Sequence, residues 1–291
     1  METRYETMVR ATVAELQRRL DDPPGFRELA DRAHLSAYHF HRIFRAMVGE
    51  SPREFVRRLR LERSAHRLVR TKSPIGDIAV EAGYDSQQAF AKAFQAEYSV
   101  TPSAFRADGG HGERLQSPSR VHVVDGGFTS FYLVNRGGND MRVDAIDLPD
   151  QRVAAVPHVG AYWAIGKAFG ELQEQITRLG LSDCGHRLAV FYDDPDTVAE
   201  ADLRSIAGVI MPSGSDIGDL EEVALPGGRY LIAEFIGDYG GLPEAWRSLY
   251  APHIPHGGYE LRDGVCFEVY VSEHGEVPPE RMRTDLYVPI N

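Results

Sequence analysis

Across residues 5–20 apolar positions return at helical spacing, with Met8, Val9, Val13, Leu16 and Leu20 on one side. Asp21-Asp22-Pro23-Pro24-Gly25 ends that helix. A short helix carrying Leu29, Ala30 and Ala33 follows. Ser36 then stands as an N-cap before Phe40, Ile43, Phe44 and Met47, an i, i+3, i+4, i+7 stripe. Gly49 and Pro52 punctuate its end. Residues 52–70 read as one longer helix that buries Leu59, Leu61, Ala65 and Leu68.

The same text returns about fifty residues later. Leu29, Ala30, Ala33 and Leu35 match Ile78, Ala79, Ala82 and Tyr84 at an offset of 49. Ser36, Phe40, Phe44, Ser51, Pro52 and Phe55 match Ser86, Phe90, Phe94, Thr101, Pro102 and Phe105 at an offset of 50. The slip of one residue falls at Asp85, in the turn. The duplication predicts two helix-turn-helix units, over about 26–48 and 75–98, joined by the helix 52–70.

Such a unit has a physical use on DNA. A helix fits the major groove, and its exposed N-terminal residues reach base edges. The positions off the apolar stripe are Tyr38, His41, Arg42 and Arg45 in the first unit. In the second they are Gln87, Gln88, Ala91, Lys92 and Gln95. Arginine and lysine suit guanine, and glutamine suits adenine. Ser36, Ser86 and Arg45 are candidates for phosphate contact, the serines because they stand at helix N-termini. The joining helix spans about 28 Å at ~1.5 Å per residue, close to the ~34 Å between successive major-groove faces. It also carries Arg53, Arg57, Arg58, Arg60, Arg63, Arg67 and Arg70, which serve either DNA or a solvated face.

Net charge sharpens the division. The chain of 291 residues carries −11, which by itself argues against DNA. Residues 1–107, however, hold 18 basic against 14 acidic residues, and residues 108–291 hold 14 against 29. The front is mildly basic and the rear strongly acidic, so two jobs are expected. No apolar run reaches the length of a membrane span or a signal peptide, so a cytoplasmic protein is expected. Cys184 and Cys266 allow one disulfide, but two reduced core cysteines fit that compartment better.

The front half resembles the DNA-binding domain of the AraC/XylS family of transcription activators. The residues that carry the likeness are Arg60-Leu61-Glu62-Arg63-Ser64-Ala65, Ile78-Ala79, Gly83-Tyr84-Asp85-Ser86-Gln87, Phe90 with Ala93-Phe94, and Thr101-Pro102-Ser103 with Phe105-Arg106. The resemblance implies an all-α domain over 1–107, an activator, and Tyr38, His41, Arg42, Gln87, Gln88 and Lys92 as its base-facing residues. The partner would be double-stranded DNA over a site of about two helical turns.

Residues 108–140 read as a linker, with a hairpin of 119–125 and 129–135 around Gly126-Gly127. Beyond it, residues 141–291 mix strands and helices and hold a second duplication. Arg152, Gly160, Tyr162, Ala168-Phe169 and Leu172 match Arg229, Gly237, Tyr239, Ala245-Trp246 and Leu249 at an offset of 77. Each copy reads as strand, glycine turn, helix and returning strands, an α+β domain whose two copies face across a cleft. Glu268 lies in the apolar strand Val265-Cys266-Phe267-Glu268-Val269-Tyr270. A carboxylate there needs a partner, a ligand or a proton, unless alternation turns it to a wet face.

This half resembles the GyrI-like, effector-binding family, through His158, Gly160 and Tyr162, Phe191-Tyr192-Asp193-Asp194-Pro195, Pro226-Gly227-Gly228-Arg229-Tyr230, Phe267-Glu268-Val269-Tyr270 and Thr284-Asp285-Leu286-Tyr287-Val288-Pro289-Ile290. Ala161 stands where the family usually has proline. The resemblance implies an aromatic cleft with an acidic base, made here of Tyr162, Tyr192, Tyr230, Trp246, Glu268 and Tyr270, that takes a small hydrophobic or cationic effector. The alternatives are a hydrolase of cyclopropane-type toxins, a drug-sequestering module, or an acidic surface for RNA polymerase. The residues call for no metal or cofactor: no Ser/His/Asp set, phosphate loop or zinc pattern is visible, and His253 and His256 sit between prolines.

Overall fold

The computed structural model describes residues 2–110, 115–124, 127–134, 141–181, 185–195, 197–212, 214–272, 275 and 277–291. Two units divide it, residues 1–135 and 136–291.

The first unit is helical. Helix α1 (Arg4–Arg18) opens on a capping box of Thr3 and Glu6. Helices α2 (Phe26–Arg32) and α3 (Ala37–Val48) follow, and Ser36 Oγ accepts the His39 amide at 3.3 Å to cap α3. Gly49 ends α3 at φ +86°, and a Cβ there would collide with Pro118, so glycine is needed twice over. Helix α4 (Pro52–Arg70) starts with proline in its first turn behind a Ser51–Glu54 capping box. Helices α5 (Ile75–Glu81), α6 (Gln87–Tyr98) and α7 (Pro102–Ala107) repeat the plan, with Ser86 and Thr101 as caps. Phe90 and Phe94 of α6 are buried with Leu61, Leu68, Ile78 and Phe105. Phe40 and Phe44 play the same part in α3, and Phe44 meets Phe55 edge-on.

The stretch expected to be a linker is fastened to this unit. Arg58 Nη1 donates to the Val121 carbonyl at 2.8 Å, and the Val123 amide donates to Glu62 Oε2 at 2.8 Å. His122 Nδ1 lies 2.9 Å from Glu62 Oε1, and the Val134 amide reaches the Met47 carbonyl. Buried Leu115 and Val121 give the segment a hydrophobic footing, which a free linker lacks. Its hairpin is shorter than expected: β1 (Val123–Val124) pairs with β2 (Gly127–Phe128). Asp125, Gly126 and Asn135 of the expected hairpin lie outside the described residues, as does Cys184.

The second unit is one antiparallel sheet with helices on it. In chain order come β3 (Arg142–Leu148), β4 (Gln151–Val159), α8 (Gly166–Arg178), β5 (Arg187–Phe191), β6 (Arg204–Met211) and β7 (Glu221–Leu225). Then come β8 (Gly228–Ile236), α9 (Leu242–Ser248), α10 (Ile254–Gly257), β9 (Phe267–Tyr270) and β10 (Arg283–Pro289). The strand order β3-β8-β10-β9-β5-β6-β4-β7 reads alike from either end. Strands β4 and β8 have bounds 77 residues apart, and a shift of 79 carries the β5–β6 register onto that of β9–β10. The two copies therefore lie side by side about a pseudo-twofold at the central pair β5–β9.

That axis passes through the directly paired residues Ala189 and Glu268. Directly paired residues share a face. Ala189 packs with Ala154, Val156, Ala207 and Leu172 of α8, so Glu268 points to the helix side. The opposite face buries Leu188, Val190, Ile206, Tyr230 and Phe267. Cys266 is buried within 3.5 Å of the Tyr250 hydroxyl.

Candidate functional site

Helix α6 presents a clean polar face. Gln87, Gln88, Lys92 and Gln95 are exposed while Phe90 and Phe94 are buried. Ser86 Oγ accepts the Ala89 amide at 3.1 Å, and an N-cap serine that accepts in this way keeps its own hydrogen to donate. Gln95 follows Gln88 and Lys92 by helical steps and completes their face, a member the resemblance did not supply.

Helix α3 differs. Tyr38, Arg42 and Arg45 are half-buried, and the Arg42 guanidinium lies over the Tyr38 ring at 5.0 Å. Arg45 approaches Glu54 at 4.0 Å. His41, expected to face a base, is 2% exposed with its ring 5.8 Å from that of Phe26. The reason is angular: His41 is one helical step from Phe40 and three from Phe44, at the edge of the apolar stripe, where the α2 aromatic reaches it.

The arginines of α4 are largely committed within the unit. Arg57 pairs with Glu97 of α6, Arg67 with Glu81 of α5, and Arg63 with Asp21. Arg60 donates to the Leu20 and Asp21 carbonyls. Arg58 is buried between Glu50 and Glu62. Burial pushes the Glu50 carboxyl above its usual range, against the pull of Arg58.

In the second unit the structure gathers three of the six expected groove residues. Trp246 Nε1 donates to Glu268 Oε1 at 2.7 Å, and the Tyr270 hydroxyl donates to Oε2 at 2.8 Å. Glu268 and Trp246 are buried, at 4% and 5% exposure. Burial, then the neighbouring Glu268, holds the Tyr270 hydroxyl far above the usual tyrosine range. Phe169 of α8 meets Tyr270 edge-on at 5.4 Å, and Tyr239 does so at 5.5 Å. About the pseudo-twofold, Tyr239 on Tyr270 matches Tyr162 on Phe191, whose rings lie 4.7 Å apart. Tyr162 thus belongs to the far end of the same face. Its hydroxyl donates to the Asp193 carbonyl at 2.7 Å. Only one carboxylate stands on the axis, because the position matching Glu268 is Ala189.

Two expected members are elsewhere. Tyr230 is 1% exposed on the opposite face, packed on Phe267 and Tyr287, with its hydroxyl on the Pro226 carbonyl. Strand alternation sends it away from the helices. Tyr192 follows Phe191 by one residue and turns the same way. The Glu221 charge that bears on its hydroxyl sits opposite Ala155, on that other face. Sequence reasoning did not name Phe169, Phe191 and Tyr239 as site residues; they share this face of the sheet. The 77-residue duplication held the signal, since it matches Tyr239 to Tyr162 and Phe169 to Trp246.

Comparison with known proteins places these features. The GyrI-like small molecule binding domain model matches residues 141–291, and a helix-turn-helix domain model matches residues 29–108. Over 99 residues the chain is 35% identical to the transcriptional regulator Rob of Salmonella typhimurium, a match covering 34% of each chain. Over 102 residues it is 30% identical to the regulatory protein SoxS of the same organism, covering 35% of this chain and 95% of that one. The match thus spans about a third of Rob's length. The solved C-terminal domain of EcmrR superposes with a TM-score of 0.43 at 13% identity, covering 52% of this chain and 99% of that one.

Proposed function

Because the chain belongs to the GyrI-like small molecule binding domain family and carries an AraC-type helix-turn-helix domain, we infer that it regulates transcription in response to a small ligand. The single observation that carries the ligand half is Glu268, a buried carboxylate on the pseudo-twofold held by the two aromatic donors Trp246 and Tyr270. Aromatic faces and a carboxylate together suit a lipophilic cation. Tyr162, Phe169, Phe191 and Tyr239 line the approach on the same face.

On DNA, α6 reads bases through Gln87, Gln88 and Lys92, and α3 contributes Tyr38 and Arg42. Ser36, Ser86 and Arg45 meet phosphates. Two units in one chain make an asymmetric site of about two helical turns, and activation is the expected outcome. The ligand acts only if it binds two states of the protein with different affinity.

The test is footprinting of DNA upstream of the protein's own gene, with and without a cationic rhodamine dye. A protected site of about 20 base pairs, lost in Gln88→Ala and Lys92→Ala, supports the reading. Protection that never exceeds non-specific binding defeats it. Dye binding should weaken about tenfold or more in Glu268→Gln, in line with loss of a charged partner. Turnover of a cyclopropane-bearing compound that disappears in the same variant would move the rear unit into the hydrolases.

A further inference from the structure

A groove of about 460 Å³ opens in the first unit between the end of α1, the C-terminal half of α4 and the hairpin. That volume is within the range of small-molecule sites, roughly 300–1,000 Å³. Its floor is apolar: Leu20 is buried, and Val123, Val124 and Phe128 of the hairpin complete it. One wall is rich in arginine. Arg63, His66, Arg67 and Arg70 stand at i, i+3, i+4 and i+7 on α4 and so share a face, and Arg18 closes the mouth from α1. Asp21 also lines it and pairs with Arg63, while Glu81 of α5 pairs with Arg67, so four arginines, Arg18, Arg63, Arg67 and Arg70, face two carboxylates.

We propose that this groove is a binding site for a drug-sized organic anion with an apolar body. Two features select that chemistry. The basic stripe disfavours a cation and supplies charge-assisted donors to a carboxylate or sulfonate. The apolar floor gains by covering hydrophobic surface, which a bare inorganic anion does not provide. Arginine stems resting on the hairpin would explain close packing of α4 on it, but not an open volume with an apolar base. The location gives an occupant leverage. His66 is one helical turn beyond Glu62, the residue that holds His122 and the Val123 amide. An anion in the groove therefore touches both α4, which joins the two helix-turn-helix units, and the segment fastened to it. The site is separate from the Glu268 cluster and does not depend on the function proposed for it.

The experiment is a fluorescence titration of the full chain with anilinonaphthalene sulfonate, an anion on an aromatic body. One saturable site is expected. The double variant Arg18→Glu/His66→Glu, placed on exposed and half-buried positions, should weaken it about tenfold or more, as removing one positive charge and adding two negative ones at a partly exposed site does. Phe128→Ser should weaken it as well, through the floor. Glu268→Gln should leave it unchanged. Loss of dye binding in Glu268→Gln with the charge reversals silent would put the dye in the rear unit and overturn the proposal. Displacement of the dye by non-specific duplex DNA at low salt would make the stripe a phosphate contact and overturn it too. So would the absence of any saturable site in a chain whose melting curve shows it folded.

Discussion

Thr284 is fully buried on the helix side of the sheet, opposite Tyr270, and its hydroxyl oxygen has no hydrogen-bond partner among the described residues. Its pseudo-twofold counterpart, Ser205, lies 3.0 Å from His158 Nδ1. A buried hydroxyl without a partner costs stability, and valine fills the same volume without that cost. Thr284→Val should therefore raise the urea midpoint, by about 1 kcal/mol of unfolding free energy. A fall would mean the hydroxyl is engaged. Asp193 offers a test by pH. Its carboxyl accepts from the Arg204 guanidinium and backbone amide, and those bonds hold it below the usual carboxylate range. A carboxyl lowered in the fold contributes stability above its unfolded pKa of about 3.9 and loses it as pH falls through the lower folded value. The stability gap between the parent chain and Asp193→Asn should be constant from pH 7 to 5 and shrink below about pH 4. A gap that widens in acid would contradict this assignment.

At the scale of elements, α4 is held by charge as much as by its apolar side. Arg58 bonds Glu50 at 2.6 Å and Glu62 at 3.0 Å, all three being buried, and Glu62 in turn secures the Val123 amide. Removing one partner of a buried ion cluster strands the others. Arg58→Met should cost about 3–5 kcal/mol, while the triple change Arg58→Met/Glu50→Met/Glu62→Gln, whose new amide oxygen can still accept from the Val123 amide, should recover most of it. Equal instability in both would show that the charges are not the reason. Sequence made the helices themselves legible, since Ser36, Ser51, Ser86 and Thr101 are caps whose chemistry is local and the Phe40/Phe44 stripe fixes one side of α3. It did not reveal where the arginines go. A solvated arginine and one bonded to Glu97 forty residues away have the same local signature. The segment after α7 misled for a related reason: its glycines and prolines describe a flexible chain, and its anchor, Glu62, lies about sixty residues upstream. In the rear unit the 77-residue duplication was readable, and with it Trp246 and Glu268. Which face each tyrosine takes was not, because Tyr230 and Tyr270 look alike until strand register assigns them.

At the scale of the molecule, charge is distributed by unit. Residues 1–135 hold 20 basic against 17 acidic residues, and residues 136–291 hold 12 against 26. A duplex is itself a dense line of negative charge, so the rear unit repels it wherever it comes within a screening length, about 10 Å at 0.1 M salt. Electrostatics supplies essentially all of non-specific binding and a large share of specific binding, to which base contacts add sequence preference. The fragment 1–135 should therefore bind random-sequence duplex more tightly than the full chain in 50 mM salt. The difference should fade toward 0.5 M, where the screening length is about 4 Å. Binding of the cognate site should tighten in the fragment as well, because its phosphates are repelled alike, so the preference for it over random duplex should change less than either affinity. Electrophoretic mobility shifts with the full chain and the fragment on both duplexes across that salt range measure all of these quantities. Curves that coincide at every salt concentration would show that the acidic unit stays beyond screening distance of DNA, and would remove its charge as a brake on DNA binding.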